Sequence, residues 1–184
     1  MAARRSSRER GCRHSRLCHP PADASVLLRA PGGEVFESLG VGYLCSALTG
    51  RVVQLEVTEH FNWPHVAFVG RWSALYSTGN EAPWAVTVYD MSTGGVAFED
   101  DQIGKVDAIV LAPDGAVAWV EDDSLEVETP AEPSSQVRWR VREHNRYGTF
   151  TLDRSAKIAA SSLTRSGATV RWRDGHTLRL APLR

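Results

Sequence analysis

Long apolar runs are missing from this sequence. Those present are short, such as Val66-Ala-Phe-Val69, far below the roughly 20 residues a helix needs to cross a bilayer. That excludes a membrane-spanning helix. Helical periodicity is also missing beyond a few residues at a time, which excludes a helical bundle. There is no Gly-x-Ser-x-Gly elbow, no Cys-x-x-Cys and no phosphate-binding Walker loop. Gly40-Val-Gly42 starts like a dinucleotide fingerprint but lacks the third glycine and a following helix. No local pattern therefore places a nucleophile, a cofactor or a metal. Net charge is nearly absent too, at −1 over 184 residues.

That small total hides blocks of opposite sign. Residues 1–20 carry net +5, residues 21–100 net −6, residues 101–135 net −8 and residues 136–184 net +8. Hydrophobic content of 42% and charged content of 23% are ordinary for a globular chain, and the length suits one domain with a real core. The first residues, MAARRSSRERGCRHSRLCHPP, have a basic start but no apolar run after it, so they do not read as a signal peptide. Residues 1–20 read as a disordered basic arm. Either Met1 is the native start or the true start lies upstream.

Val, Thr, Trp and Tyr cluster in short runs broken by Gly, Pro, Asp and Asn, the composition of strands and turns. The clearest hairpin is VDAIVLAPDGAVAWV, residues 106–120, turning at Pro113-Asp114-Gly115. After the turn, Val117 and Trp119 point to one face, and Ala116, Ala118 and Val120 to the other. Both faces are apolar, which predicts a strand covered on both sides. RAPGGEVF turns similarly at Gly32-Gly33, VAFVGRWSALYS at Gly70, and SSLTRSGATVRW at Gly167. A second hairpin type alternates with the first, at Gly50, Gly94 and Gly148. The step from second type to first is 20, 21 and 19 residues.

This periodicity predicts an all-β, propeller-like stack of about four small four-stranded antiparallel sheets, the last lacking its fourth strand. One twisted sheet cannot bury both faces alone, so such units stack. Units fall near residues 25–58, 66–99, 106–153 and 159–181, within a single domain spanning 21–184. Gly33, Gly50, Gly70, Gly94, Gly115, Gly148 and Gly167 are then structural turn residues, and Trp119 and Trp172 packing residues. Either the N-terminal segment supplies the missing strand and closes a ring, or the stack stays open.

The chain resembles β-propeller proteins, and more narrowly the secreted, mostly uncharacterised bacterial propeller-type repeat proteins. The resemblance rests on Tyr43-Leu-Cys45 with Thr49-Gly50-Arg51, on the PDGAVAWV hairpin and on SSLTRSGATVRW, and it covers roughly residues 18–184. There is no Gly-His and Trp-Asp pair of the WD40 kind. The resemblance implies an exported protein, extracellular or in the cell envelope. It also favours a disulfide between Cys18 and Cys45, tying the N-terminal edge onto the first sheet, with Cys12 left over. The competing reading is a cytoplasmic protein with three reduced thiols. Zinc on Cys12, His14, Cys18 and His19 is disfavoured, because the spacing is not that of a zinc knuckle.

Glu59-His-Phe-Asn-Trp-Pro-His65 reads as a polar connector between the first two units rather than a metal loop. Val137-Arg-Trp-Arg-Val-Arg142 alternates strictly and puts Arg138, Arg140 and Arg142 on one face. Arg171 and Arg173 flank Trp172 in the same way. The acidic stretch with Glu121, Asp122, Asp123, Glu126 and Glu128 predicts that the first set is an edge strand neutralised within its own unit, not a nucleic-acid groove. The functional expectation is a non-catalytic binding or scaffold module with a protein or carbohydrate partner and no cofactor. The alternative is an enzyme with its site on inter-strand loops near His60, His65, Trp84 and His144.

Overall fold

The structure is a computed structural model describing residues 18–55, 62–78, 84–122 and 139–183. It is all-β: four antiparallel sheets, three of four strands and a last one of three. The first sheet comprises β1 (Ser25–Ala30), β2 (Gly33–Ser38), β3 (Val41–Ser46) and β4 (Val52–Gln54). The second comprises β5 (Asn62–Val69), β6 (Trp72–Thr78), β7 (Trp84–Asp90) and β8 (Gly95–Ile103). The third comprises β9 (Val106–Leu111), β10 (Val117–Asp122), β11 (Trp139–Asn145) and β12 (Gly148–Ser155). The last comprises β13 (Ile158–Ser166), β14 (Thr169–Asp174) and β15 (Thr177–Pro182). In each sheet the spatial order follows the chain, so every sheet is a meander.

The sheets stack face to face through three apolar seams. The first seam joins Val35, Leu44, Val53 and Leu55 to Leu75 and Met91 of the second sheet. The next joins Ala74, Tyr76, Val86 and Val88 to Leu111, Val117 and Trp119 of the third. The last joins Ala118, Val120 and Val141 to Leu163, Val170, Trp172 and Leu183. β10 feeds two seams at once: Val117 and Trp119 on one side, Ala118 and Val120 on the other, all buried. That is the two-sided burial its alternating apolar sequence demands.

The first strands of the sheets form the inner row, with β9 packed against β5, β6 and β13. Each of the four hairpins that include a first strand carries a register shift. Such bulges bend and twist a strand locally, as a row of converging sheets requires. In β5 the shift lies between Asn62 and His65, around Pro64, whose missing N–H is tolerated on an edge strand. Residues 62–65, expected to be connector, are therefore strand.

Two further expectations are corrected by the geometry. In the first hairpin the residue with positive φ is Gly32, at 100°, and Gly33 is already the first residue of β2. A Cβ on Gly33 collides with the Cys45 carbonyl and the Phe68 ring, so its role is close packing between sheets rather than the turn itself. The arginine strand β11 is not an edge. It lies between β10 and β12, pairing with β10 along one side while the hairpin at Gly148 folds β12 onto the other.

The N-terminal described residues do not complete the last sheet. Cys18 and Ala24 pack on Phe36, Tyr43 and Cys45, the outer face of the first sheet. Cys18 and Cys45 form a disulfide with Cα atoms 5.9 Å apart. Ser38 Oγ donates to Asp23 at 3.0 Å beside them. One end of the stack is thus covered. At the other, β15 ends the sheet where the three preceding sheets each add a fourth strand.

Candidate functional site

The sequence Val117-Ala-Trp-Val-Glu121 puts Trp119 and Glu121 on the same face of β10, two residues apart. That face is closed by the second sheet, so Glu121 is 0% exposed. A carboxylate there survives only if its oxygens are paired. The Trp119 indole Nε1 donates to Oε2 at 2.7 Å. Arg140 donates to Oε1 from Nε at 2.7 Å and from Nη2 at 2.6 Å. Arg142 Nη1 approaches the same oxygen at 3.5 Å. These partners follow from register: Glu121 lies directly opposite Arg140, and Trp119 opposite Arg142.

The network reaches across the seam. Arg142 Nη2 lies 3.1 Å from Asp100 Oδ2 of β8, and its guanidinium sits 5.2 Å over the Trp119 ring. His144 stacks on Phe98 with ring centroids 3.7 Å apart, and its Nδ1 is 2.9 Å from Thr149 Oγ1. Burial pushes the Glu121 carboxyl up, opposed by the Trp119 hydrogen bond and by the Arg142 and Arg140 charges. Burial pushes His144 down, against the pull of Asp100. The arginines are thus neutralised by Glu121 and by Asp100 of the neighbouring sheet.

The opposite face of β11 carries a second buried carboxyl. Glu143 is 7% exposed; its Oε1 accepts from Asn145 Nδ2 at 2.9 Å, and Oε2 has no hydrogen-bond partner among the described residues. Burial pushes this carboxyl up, with the Asn145 bond opposing. At the last seam, Trp172 repeats the Trp119 pattern: its Nε1 donates to Asp153 Oδ2 at 2.7 Å, from the last sheet to the third. Ser155 Oγ donates to Asp174 at 2.7 Å alongside. Of these carboxylates only Glu121 carried a sequence signal, as the first member of the acidic stretch that precedes the arginine strand. Asp153 and Asp100 come from other sheets, and nothing local marks them.

The loop cluster expected around His60, His65, Trp84 and His144 takes a different form. His60 lies outside the described residues. His65 is on β5 opposite Tyr76, Trp84 opens β7 opposite Ile103, and His144 is on β11 of the third sheet. Three of the four therefore belong to strands of two sheets. Cys12 and His14 lie outside the described residues, and Cys18 is held by Cys45. Among the described residues, no group of three or more His, Cys, Asp and Glu is placed to hold a metal ion, and no helix is long and apolar enough to cross a membrane.

No known protein-family model matches the chain. No curated protein matches it either.

Proposed function

We propose that this protein is a non-catalytic binding or scaffold module, exported to the cell envelope or beyond, which holds a partner on the outside of its sheet stack. One observation carries the reading. The charged groups of the Trp119 and Trp172 seams are engaged with one another: Glu121 with Arg140, Arg142 and Trp119, and Asp153 with Trp172. Groups arranged in this way stabilise an inter-sheet seam, and among the described residues these side chains turn their polar atoms toward one another. The Cys18–Cys45 disulfide supports export, since such bonds persist in oxidising compartments.

The experiment is a thermal-shift screen of extended peptides and oligosaccharides, each hit then incubated with the protein and recovered for mass analysis. Hits returned unchanged agree with a binding module. A hit consumed catalytically overturns it.

A further inference from the structure

The last sheet differs from the other three in strand number, in cover and in charge. β14 and β15 pair so that Arg171 lies opposite Leu180 and Arg173 opposite Leu178. Trp172 and Val170, the alternate residues, are buried against the third sheet. The two arginines and two leucines therefore share the face turned away from the stack. Leu178 is 54% exposed and Leu180 60%. The corresponding outer face of the first sheet is not left open. There the 18–24 segment covers Phe36 and Tyr43 and is fastened by the disulfide.

Among the described residues, no strand pairs with the outer edge of β15. Exposed edges are normally blunted by shortness, by charge, by proline or by a cover. β4 is three residues long, β8 carries Glu99, Asp100 and Asp101, and β12 ends on Asp153-Arg154-Ser155. β15 reads Thr-Leu-Arg-Leu-Ala-Pro, and its single charge, Arg179, is engaged by Asp153 and Asp174. Pro182 is its last residue, so Thr177–Ala181 present an edge with one paired charge beside two arginines, which suits a strand-adding ligand.

We infer that the free edge of β15 and the adjoining outer face of the last sheet bind an extended acidic segment of a partner protein, which adds as the fourth strand. This rests on the binding-module reading and names its site and partner chemistry. Main-chain hydrogen bonds to β15 supply affinity that is independent of sequence, and side chains on the outer face supply selection. Every second residue of the added strand stands beside Leu178 or Leu180. Arg171 and Arg173 lie one strand further in, about 10 Å from the new strand at two strand spacings. Long side chains cross that span by lying over the leucines: arginine from one side, glutamate from the other. The leucines are then covered and the charges matched. A basic strand would meet two uncompensated arginines, and a second copy would bring the same two arginines to the contact, so charge complementarity selects an acidic partner over both.

The test uses two fluorescein-labelled octapeptides, one alternating valine with glutamate and one alternating valine with lysine. Fluorescence anisotropy is read on the intact protein and on Arg171→Glu/Arg173→Glu. Both proteins are first shown to melt at similar temperatures. The wild type is expected to prefer the glutamate peptide by about tenfold, as two exposed ion pairs imply, and the double variant to prefer the lysine peptide. Absence of binding by either peptide overturns the inference. So does binding with the same preference in both proteins. Sedimentation velocity supplies the further outcome: a dimer of the wild type that Leu180→Glu dissociates means that a second copy covers this face, and overturns it too. If the peptides fail but the thermal-shift screen returns unchanged ligands, only this site is lost. If a screened ligand is consumed, the binding-module reading itself falls.

Discussion

Trp119 donates its indole proton to Glu121 on the same strand at 2.7 Å, inside a seam that excludes water from both. The tryptophan fills the gap between the second and third sheets and at the same time satisfies one oxygen of the acid beside it. Arg140 satisfies the other.

Removing one member of this set strands the rest. Glu121→Gln is expected to lower stability by about 3 kcal/mol, because Arg140 keeps its charge in a mostly buried site and loses the carboxylate charge of Glu121. Glu121→Met with Arg140→Leu is expected to recover at least half of that loss, since apolar replacements of similar volume carry no desolvation penalty. Chemical denaturation of Glu121→Met, Arg140→Leu and the double variant measures the coupling. Additive losses contradict a paired arrangement.

The turn glycines are not equivalent. Gly115 has φ of 93°, and a Cβ there comes within 2.9 Å of the Trp72 ring, whereas Gly70 has φ of 60° and open space around it. Gly70→Ala therefore meets only the left-handed backbone cost, about 1–2 kcal/mol. Gly115→Ala meets that cost and a clash that moves Trp72, so it is expected to be at least 1 kcal/mol worse. Equal melting temperatures for the two variants contradict the packing described for the turn at residues 113–115.

Much of this architecture was legible in the chain, for local reasons. A glycine flanked by alternating apolar residues marks a hairpin, and the 19–21-residue step repeats the unit. What local patterns do not carry is rank within a sheet. The acids that precede the alternating arginine run suggest an edge strand; the run is internal because β10 and β12 pair with it on either side. Two adjacent glycines likewise hide which one turns: Gly32 has the positive φ, and Gly33 packs under Phe68. The inter-sheet partners Asp100 and Asp153 were invisible, since no spacing along the chain links them to Arg142 or Trp172. The Arg–Leu face of the last sheet was half visible. Arg171 and Arg173 alternate about Trp172 in the sequence, but only the β14–β15 register sets Leu178 and Leu180 beside them.

The disulfide closes a loop between residues 27 apart and holds the cover of the first sheet in place. Reduction, or Cys18→Ser with Cys45→Ser, is expected to cost about 3 kcal/mol by the loop-entropy relation. It should also expose Phe36 and Tyr43, raising the binding of a hydrophobic dye. Protein from its native host should show an oxidised Cys18–Cys45 peptide by mass mapping. Free thiols at both positions contradict export.

Glu143 gives the protein a pH-dependent stability of definite sign. Its folded-state pKa lies above the unfolded value of about 4.3 because burial disfavours the charged form. Stability present below that value is lost as pH rises through the folded-state pKa. Glu143→Gln removes the ionisation, so relative to wild type the variant is expected to gain stability as pH rises from about 4 to about 7. The advantage should vanish below about pH 4, where the unfolded carboxyl is also protonated. His144 has the reverse sign, its pKa being lowered by burial, so its contribution is lost as pH falls. It is present in both proteins and cancels in the comparison. Parallel melting curves for wild type and variant across that range contradict the account of Glu143.

The central claim is that one end of the stack is covered and the other open to a strand. Amide hydrogen exchange resolved by strand tests it most directly, with and without the valine–glutamate octapeptide. The account predicts fast exchange in β15 and slow exchange in β10 and β11 for the free protein, and protection confined to β15 and β14 once the peptide is bound. Slow exchange of β15 in the free protein, or peptide protection elsewhere in the stack, would contradict it.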